Sequence, residues 1–131
     1  MWKVSARSIG IRMANNYGVP GIDVQQLAEM RASGDEFILL DVREVQELAQ
    51  ANLGDGVMVV PLSLIAQRYE EALPEAIRNN RSGKIVVMCH TGVRSAQVTQ
   101  WLRGNSYSDV WNLDGGIEAY AVEIDGTVGR Y

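Results

Sequence analysis

The sequence contains few of the residues that build metal sites or covalent cross-links. Its single cysteine, Cys89, excludes an internal disulfide, and its single histidine, His90, adds too few ligands for a zinc site of the usual four-ligand type. A chain of 131 residues needs neither, because a domain of this length buries about two-thirds of its unfolded surface. The cysteine count fits a reducing compartment, and we predict a cytoplasmic protein without metal or cofactor.

Long apolar runs and an excess of positive charge are also missing. No run approaches the roughly 20 residues that cross a bilayer, so we predict no membrane span. The formal net charge is -4, and a mildly acidic chain is a poor general ligand for nucleic acids. Residues 1–21 contain Lys3, Arg7 and Arg12 but no acid, which predicts a solvated N-terminal arm and also weakly resembles an organelle transit peptide.

The remaining residues, 22–131, alternate short apolar runs with helical patterns. The predicted strands are 37–40, 57–60, 85–88 and 110–113, and the predicted helices are 24–32, 44–51, 62–67, 69–79, 95–104 and 117–124. This alternation predicts one α/β domain with a parallel sheet flanked by helices on both faces. In such a sheet, ligands bind beyond the carboxyl ends of the strands.

Two polar segments follow predicted strands at that edge. One contains Asp41 and Arg43, and the other consists of Cys89, His90, Thr91, Gly92, Val93, Arg94 and Ser95. The helix predicted from Ser95 offers unpaired N–H groups and the positive end of its dipole, and the loop backbone around Gly92 can form an anion nest. With the charge of Arg94, these features favour the thiolate of Cys89, which is the nucleophilic form.

The same residues allow other interpretations. A free cysteine is most often a small buried apolar residue, and His90 fits an exposed loop position better than a general base. Asp41 is equally consistent with a buried turn residue. Arg43 is equally consistent with a surface ion pair to Glu44 or Glu47.

Three segments of residues 22–131 resemble the signatures of the rhodanese-like sulfurtransferase domain. They are 39–44 with Glu47 and Leu48, the loop 89–95, and 112–117 with Ala119 and Tyr120. The resemblance implies a five-stranded parallel sheet and a Cys89 that takes a sulfane sulfur, becomes a persulfide and passes the sulfur to cyanide or a thiol. It also implies that Arg43 faces the pocket and helps to hold an anionic donor, and that Asp41 braces the loop or that arginine. Thiosulfate or a protein persulfide would be the donor, and a cysteine desulfurase or sulfur-carrier protein a partner.

The loop length favours sulfur chemistry within that resemblance. Four residues separate Cys89 from Arg94, whereas tyrosine-phosphatase-like relatives have five, so a phosphatase or arsenate reductase is the weaker alternative. A persulfide carrier or an interaction module for one partner stays open. Residues 51–56 lack the histidine common in the family, and Tyr120 stands where tryptophan is common. The tail, 123–131, resembles rhodanese domains fused to adenylyltransferases of molybdopterin and thiamine biosynthesis, so we expect a free-standing relative or an excised domain.

Overall fold

A five-stranded parallel sheet forms the centre of the protein. A computed structural model describes residues 17–131, and residues 1–16 of the predicted arm, 1–21, lie outside them. The strands are β1 (Gly21–Ile22), β2 (Ile38–Asp41), β3 (Val57–Val59), β4 (Ile85–Met88) and β5 (Val110–Leu113). Their spatial order is β1-β5-β4-β2-β3, and every neighbouring pair is parallel. The predicted fold class and strand number are confirmed.

Helices cover both faces of the sheet, as predicted. They are α1 (Val24–Ser33), α2 (Leu62–Arg68), α3 (Glu75–Arg78), α4 (Val93–Gly104) and α5 (Gly116–Glu123), with 3₁₀ turns at Val45–Ala49, Tyr69–Ala72 and Gly126–Val128. Side chains of β4 alternate between two cores, because successive residues of a strand point to opposite faces. Val87 and Cys89 pack with α2, α3 and α4, whereas Val86 and Met88 pack with α1 and α5.

Three predicted helices differ from the structure, and one strand lacks a sequence signal. The helix predicted over 69–79 is divided into the 3₁₀ turn Tyr69–Ala72 and α3 (Glu75–Arg78). The segment predicted as a helix over 44–51 is a 3₁₀ helix over Val45–Ala49. Helix α4 begins at Val93 rather than at Ser95, so Arg94 and Ser95 belong to its first turn. The first strand, Gly21–Ile22, is only two residues long, which is too short for a period-two pattern to reveal. Within residues 17–131, no helix is both long and apolar enough to cross a membrane.

Candidate active site

Cys89 lies directly after β4, the middle strand of the sheet, and its side chain is 1% exposed. Its Sγ accepts hydrogen bonds from the Gly92 N–H at 3.1 Å and from the Ser95 N–H at 3.3 Å. The Ser95 hydroxyl is also 3.3 Å from the sulfur. Donors that converge on one atom stabilise negative charge there. The predicted nest therefore exists, and it surrounds the cysteine sulfur.

The sulfur also takes the place of a helix cap. Gly92 is the N-cap residue of α4 and makes no side-chain capping bond, so the first-turn N–H of Ser95 needs another acceptor. Cys89 Sγ supplies it. Gly92 has φ +107°, and a Cβ there would lie 2.7 Å from the ring of Tyr17. Only glycine fits this position without strain, which explains its place in the loop.

Ser95 connects the sulfur to a second buried polar residue, Asn112. Ser95 Oγ is 2.5 Å from Asn112 Oδ1, and Asn112 Nδ2 donates to Gly92 O at 3.3 Å and to Asp114 Oδ1 at 3.0 Å. Ser95 and Asn112 are fully buried. A hydroxyl has a single proton, so Ser95 donates either to Asn112 or to Cys89. The sequence placed Asn112 in a signature without giving it a role.

The start of α5 holds the loop backbone from the opposite side. The N–H of Ile117 donates to Cys89 O and that of Glu118 to His90 O, both at 3.0 Å. Gly116 has φ +64°, and a Cβ on it would lie 2.3 Å from His90 O. The second glycine of the third signature, Gly116, is therefore explained by the close approach of the active-site loop.

Tyr17 ties the same two segments together. Its hydroxyl donates to Thr91 O at 2.9 Å and accepts from the Gly115 N–H at 3.1 Å. Gly21, which follows shortly after, pairs with Asn112 in the sheet. Residues from Tyr17 onward therefore contact the folded unit, ahead of the domain boundary predicted at residue 22. A short polar contact of this kind leaves no pattern in the sequence.

The Arg94 side chain extends from the first turn of α4 and pairs with Glu47. Its two terminal nitrogens donate to the two Glu47 oxygens at 2.7 and 2.9 Å. This bidentate pair lowers the pKa of Glu47 from its ordinary 4.5 to about 2 and raises the pKa of Arg94. Glu47 accepts two further bonds, from the Tyr131 hydroxyl at 2.6 Å and from the Glu44 N–H at 2.9 Å.

Arg43 is fully buried and does not face a donor pocket, so that part of the expectation is wrong. Its Nη2 lies 2.7 Å from Asp41 Oδ2 and its Nε 3.0 Å from Asp41 Oδ1. The third nitrogen, Nη1, donates to the Tyr131 hydroxyl at 3.1 Å. A buried guanidinium requires such partners, since an unpaired buried charge is costly. Asp41 thus braces Arg43, and the surface pair with Glu44 or Glu47 is not formed.

Of the remaining loop residues, Thr91 and Val93 are exposed, whereas His90 is partly buried. The His90 ring stacks on Tyr131, with centroids 3.9 Å apart and planes 9° from parallel. His90 Nε2 is 4.0 Å from Glu118 Oε1, and Glu118 in turn pairs with Arg130. Val93 is 59% exposed. Among residues 17–131, no group of three or more histidine, cysteine, aspartate or glutamate residues could hold a metal ion.

This geometry agrees with what the comparisons show. The model of the rhodanese-like domain matches residues 23–123, and the chain belongs to this family. A sulfurtransferase of Allochromatium vinosum is 34% identical over 100 residues, covering 76% of this chain and 86% of that protein. The structure of the human single-domain sulfurtransferase TSTD1 superposes with a TM-score of 0.65 at 26% identity, covering 81% of this chain and 98% of that one. Family and relatives support an enzyme of the sulfurtransferase type.

Other relatives contain a matching segment within a longer chain. The chloroplastic rhodanese-like/PpiC domain-containing protein 12 of Arabidopsis thaliana is 35% identical over 98 residues, which cover 74% of this chain. A tRNA uridine(34) hydroxylase of Salmonella agona is 26% identical over 115 residues, 83% of this chain. The chain spans about a third of the length of these curated relatives, 31% and 33% respectively.

Proposed function

We propose that the protein transfers a sulfane sulfur from an anionic donor through a Cys89 persulfide to a thiophilic acceptor. The observation that carries this proposal is the convergence of the Gly92 and Ser95 N–H groups on one sulfur atom, with the Ser95 hydroxyl 3.3 Å from it. These donors stabilise the attacking thiolate and, after transfer, the negative charge of the persulfide. The donor is thiosulfate or a persulfide, and the acceptor is cyanide or a thiol.

The reaction is a pair of displacements at sulfur. The Cys89 thiolate attacks the terminal sulfur of the donor, a new S–S bond forms, and the donor's own S–S bond breaks. The electron pair of that bond leaves with sulfite when the donor is thiosulfate, or with a thiolate when it is a persulfide. In the second step the acceptor attacks the outer sulfur and Cys89 leaves as the thiolate, so no external oxidant or reductant is needed.

The size of the loop supports sulfur over phosphate as the transferred group. Four residues separate Cys89 from Arg94, and the loop N–H of Gly92 already lies 3.1 Å from the sulfur. With Cys89 1% exposed, a donor reaches it with a terminal atom rather than with a tetrahedral group. A cysteine desulfurase or a sulfur-carrier protein would be a suitable partner, because each presents a sulfur at the end of an extended group.

The test is whole-protein mass spectrometry after incubation with thiosulfate or with cysteine persulfide. We expect a gain of one sulfur mass that cyanide removes as thiocyanate, and we expect Cys89→Ser to abolish both the gain and the thiocyanate. Sulfur loading that survives in Cys89→Ser would disprove the proposal. Hydrolysis of a small aryl phosphate by the wild-type protein would favour the phosphatase alternative.

A further inference from the structure

The positive charge of Arg94 is paired with a carboxylate in the folded protein. Both of its terminal nitrogens donate to Glu47, and this fork-to-fork geometry is the strong form of the arginine–carboxylate pair. The side chains are only 32% and 17% exposed, so water screens the pair less than it screens a pair on the open surface. An incoming sulfur donor therefore meets an Arg94 whose positive charge is already neutralised by Glu47.

Glu47 is also held in place by groups other than Arg94. It sits at the third position of the Val45–Ala49 3₁₀ helix and accepts from the Glu44 N–H in a capping box. The Tyr131 hydroxyl donates to it from the other side at 2.6 Å. Moving Glu47 away from Arg94 would break these bonds as well, so the pair is held by more than its own two hydrogen bonds.

The other cations around the loop are paired in the same way. Arg43 is bonded to Asp41, and Arg130 is bonded to Glu118. Of the arginines that the structure places beside this loop in residues 17–131, each thus has a carboxylate partner, and the attraction for an incoming anion is correspondingly small.

We propose that Glu47 is a specificity-determining residue, which makes the site favour a persulfide donor over a dianion such as thiosulfate. The inference rests on the proposed sulfur transfer. A persulfide carries at most one negative charge at the transferred sulfur, whereas thiosulfate carries two. Coulomb energy scales with the product of the charges, so the fixed carboxylate of Glu47 opposes the dianion about twice as strongly as the monoanion. The backbone N–H groups that bond to the Cys89 sulfur stabilise it equally whether the incoming sulfur comes from thiosulfate or from a persulfide.

The test compares Glu47→Gln with the wild-type protein. The Glu44 N–H and the Tyr131 hydroxyl donate to different oxygens of Glu47, so glutamine keeps one of these two acceptors while it removes the charge that neutralises Arg94. Mass spectrometry measures the second-order rate of Cys89 loading from thiosulfate and from cysteine persulfide. We expect the substitution to raise the thiosulfate rate about tenfold, equivalent to about 1.4 kcal/mol, and to change the persulfide rate about threefold or less, in line with its smaller charge.

The matched control is Glu70→Gln, which removes the same charge from another arginine–carboxylate pair. Glu70 accepts from Arg81 at 2.8 Å, and Arg81 precedes β4 whereas Cys89 follows it. We expect neither rate to change in this variant. An unchanged thiosulfate rate in Glu47→Gln, or an equal rise with both donors, would overturn the role of Glu47 while leaving sulfur transfer intact. Loading from neither donor in any variant would instead refute the proposed function, and this inference would fall with it.

Discussion

Gly116 is the position where one added methyl group tests the whole arrangement of the loop. In Gly116→Ala the new Cβ would lie 2.3 Å from the carbonyl oxygen of His90, which is backbone and cannot rotate away. The residue also has φ +64°, a conformation that costs a residue with a Cβ about 1 kcal/mol or more. The substitution therefore forces either α5 or the active-site loop to move.

The cost follows from the bonds that such a movement weakens. The N–H groups of Ile117 and Glu118 donate to Cys89 O and His90 O, and each bond contributes about 1 kcal/mol. Together with the conformational strain, we expect Gly116→Ala to lower the free energy of unfolding by about 3 kcal/mol. For a domain of this size, that corresponds to a fall in melting temperature of about 10 °C. Sulfur loading should slow as well, because the loop also positions Cys89.

Urea denaturation and a thermal melt measure this change, and Gly104→Ala provides the control. Gly104 ends α4, and a Cβ on it would meet nothing within 4 Å. Alanine there should be neutral or stabilise the protein by about 0.5–1 kcal/mol, since it favours the helix. If Gly116→Ala melts at the wild-type temperature, the close approach of α5 to the loop is not the reason for this glycine, and the reasoning fails.

Three further predictions concern the polar network. The depressed pKa of Glu47, about 2 against an ordinary 4.5, means that its pairing with Arg94 stabilises the protein above pH 4.5. This contribution to the free energy of unfolding, about 1–2 kcal/mol after allowance for solvent exposure, should be lost between about pH 4.5 and 2 in acid denaturation. In Glu47→Gln, the free energy of unfolding should fall less steeply over the same pH range. Ser95→Ala removes a hydroxyl that lies 3.3 Å from the sulfur and that also bonds to Asn112, and it should slow persulfide formation about tenfold in timed mass spectrometry. An unchanged rate would exclude a role for the hydroxyl. Asp41→Asn leaves Arg43 buried without a carboxylate and should cost about 3–5 kcal/mol in urea denaturation, and a cost below about 1 kcal/mol would contradict the buried pair.

The parts of the site that depend on local chemistry were predictable. Cys89 ends a fully apolar run and precedes Gly92 and a helix, and these neighbours in the chain supply the N–H groups that surround its sulfur. The order of strands and helices was predictable for the same reason, since period and turn residues are read over short windows. The start of α4 was missed by two residues because Val93 and Arg94 carry no capping signal of their own.

The partners of the charged residues could not be predicted in this way. Arg43 is buried and bonded to Asp41 and Tyr131, and the tyrosine is 88 residues away in sequence. Tyr17 reaches the loop across 74 residues. Contacts over such separations depend on where the chain turns in space, and a single side chain gives no periodic signal for them.

The sequence by itself determined that a parallel sheet would present Cys89 in a donor-lined loop at its carboxyl edge, because apolar periodicity and loop composition are local properties. Only the tertiary structure decided which charge Arg94 meets. Strand β2 lies beside β4, with Asp41 opposite Met88, so the segment that follows β2 emerges next to the loop that follows β4. That adjacency brings Glu47 onto Arg94, and the strand order that creates it is a property of the folded sheet rather than of either segment.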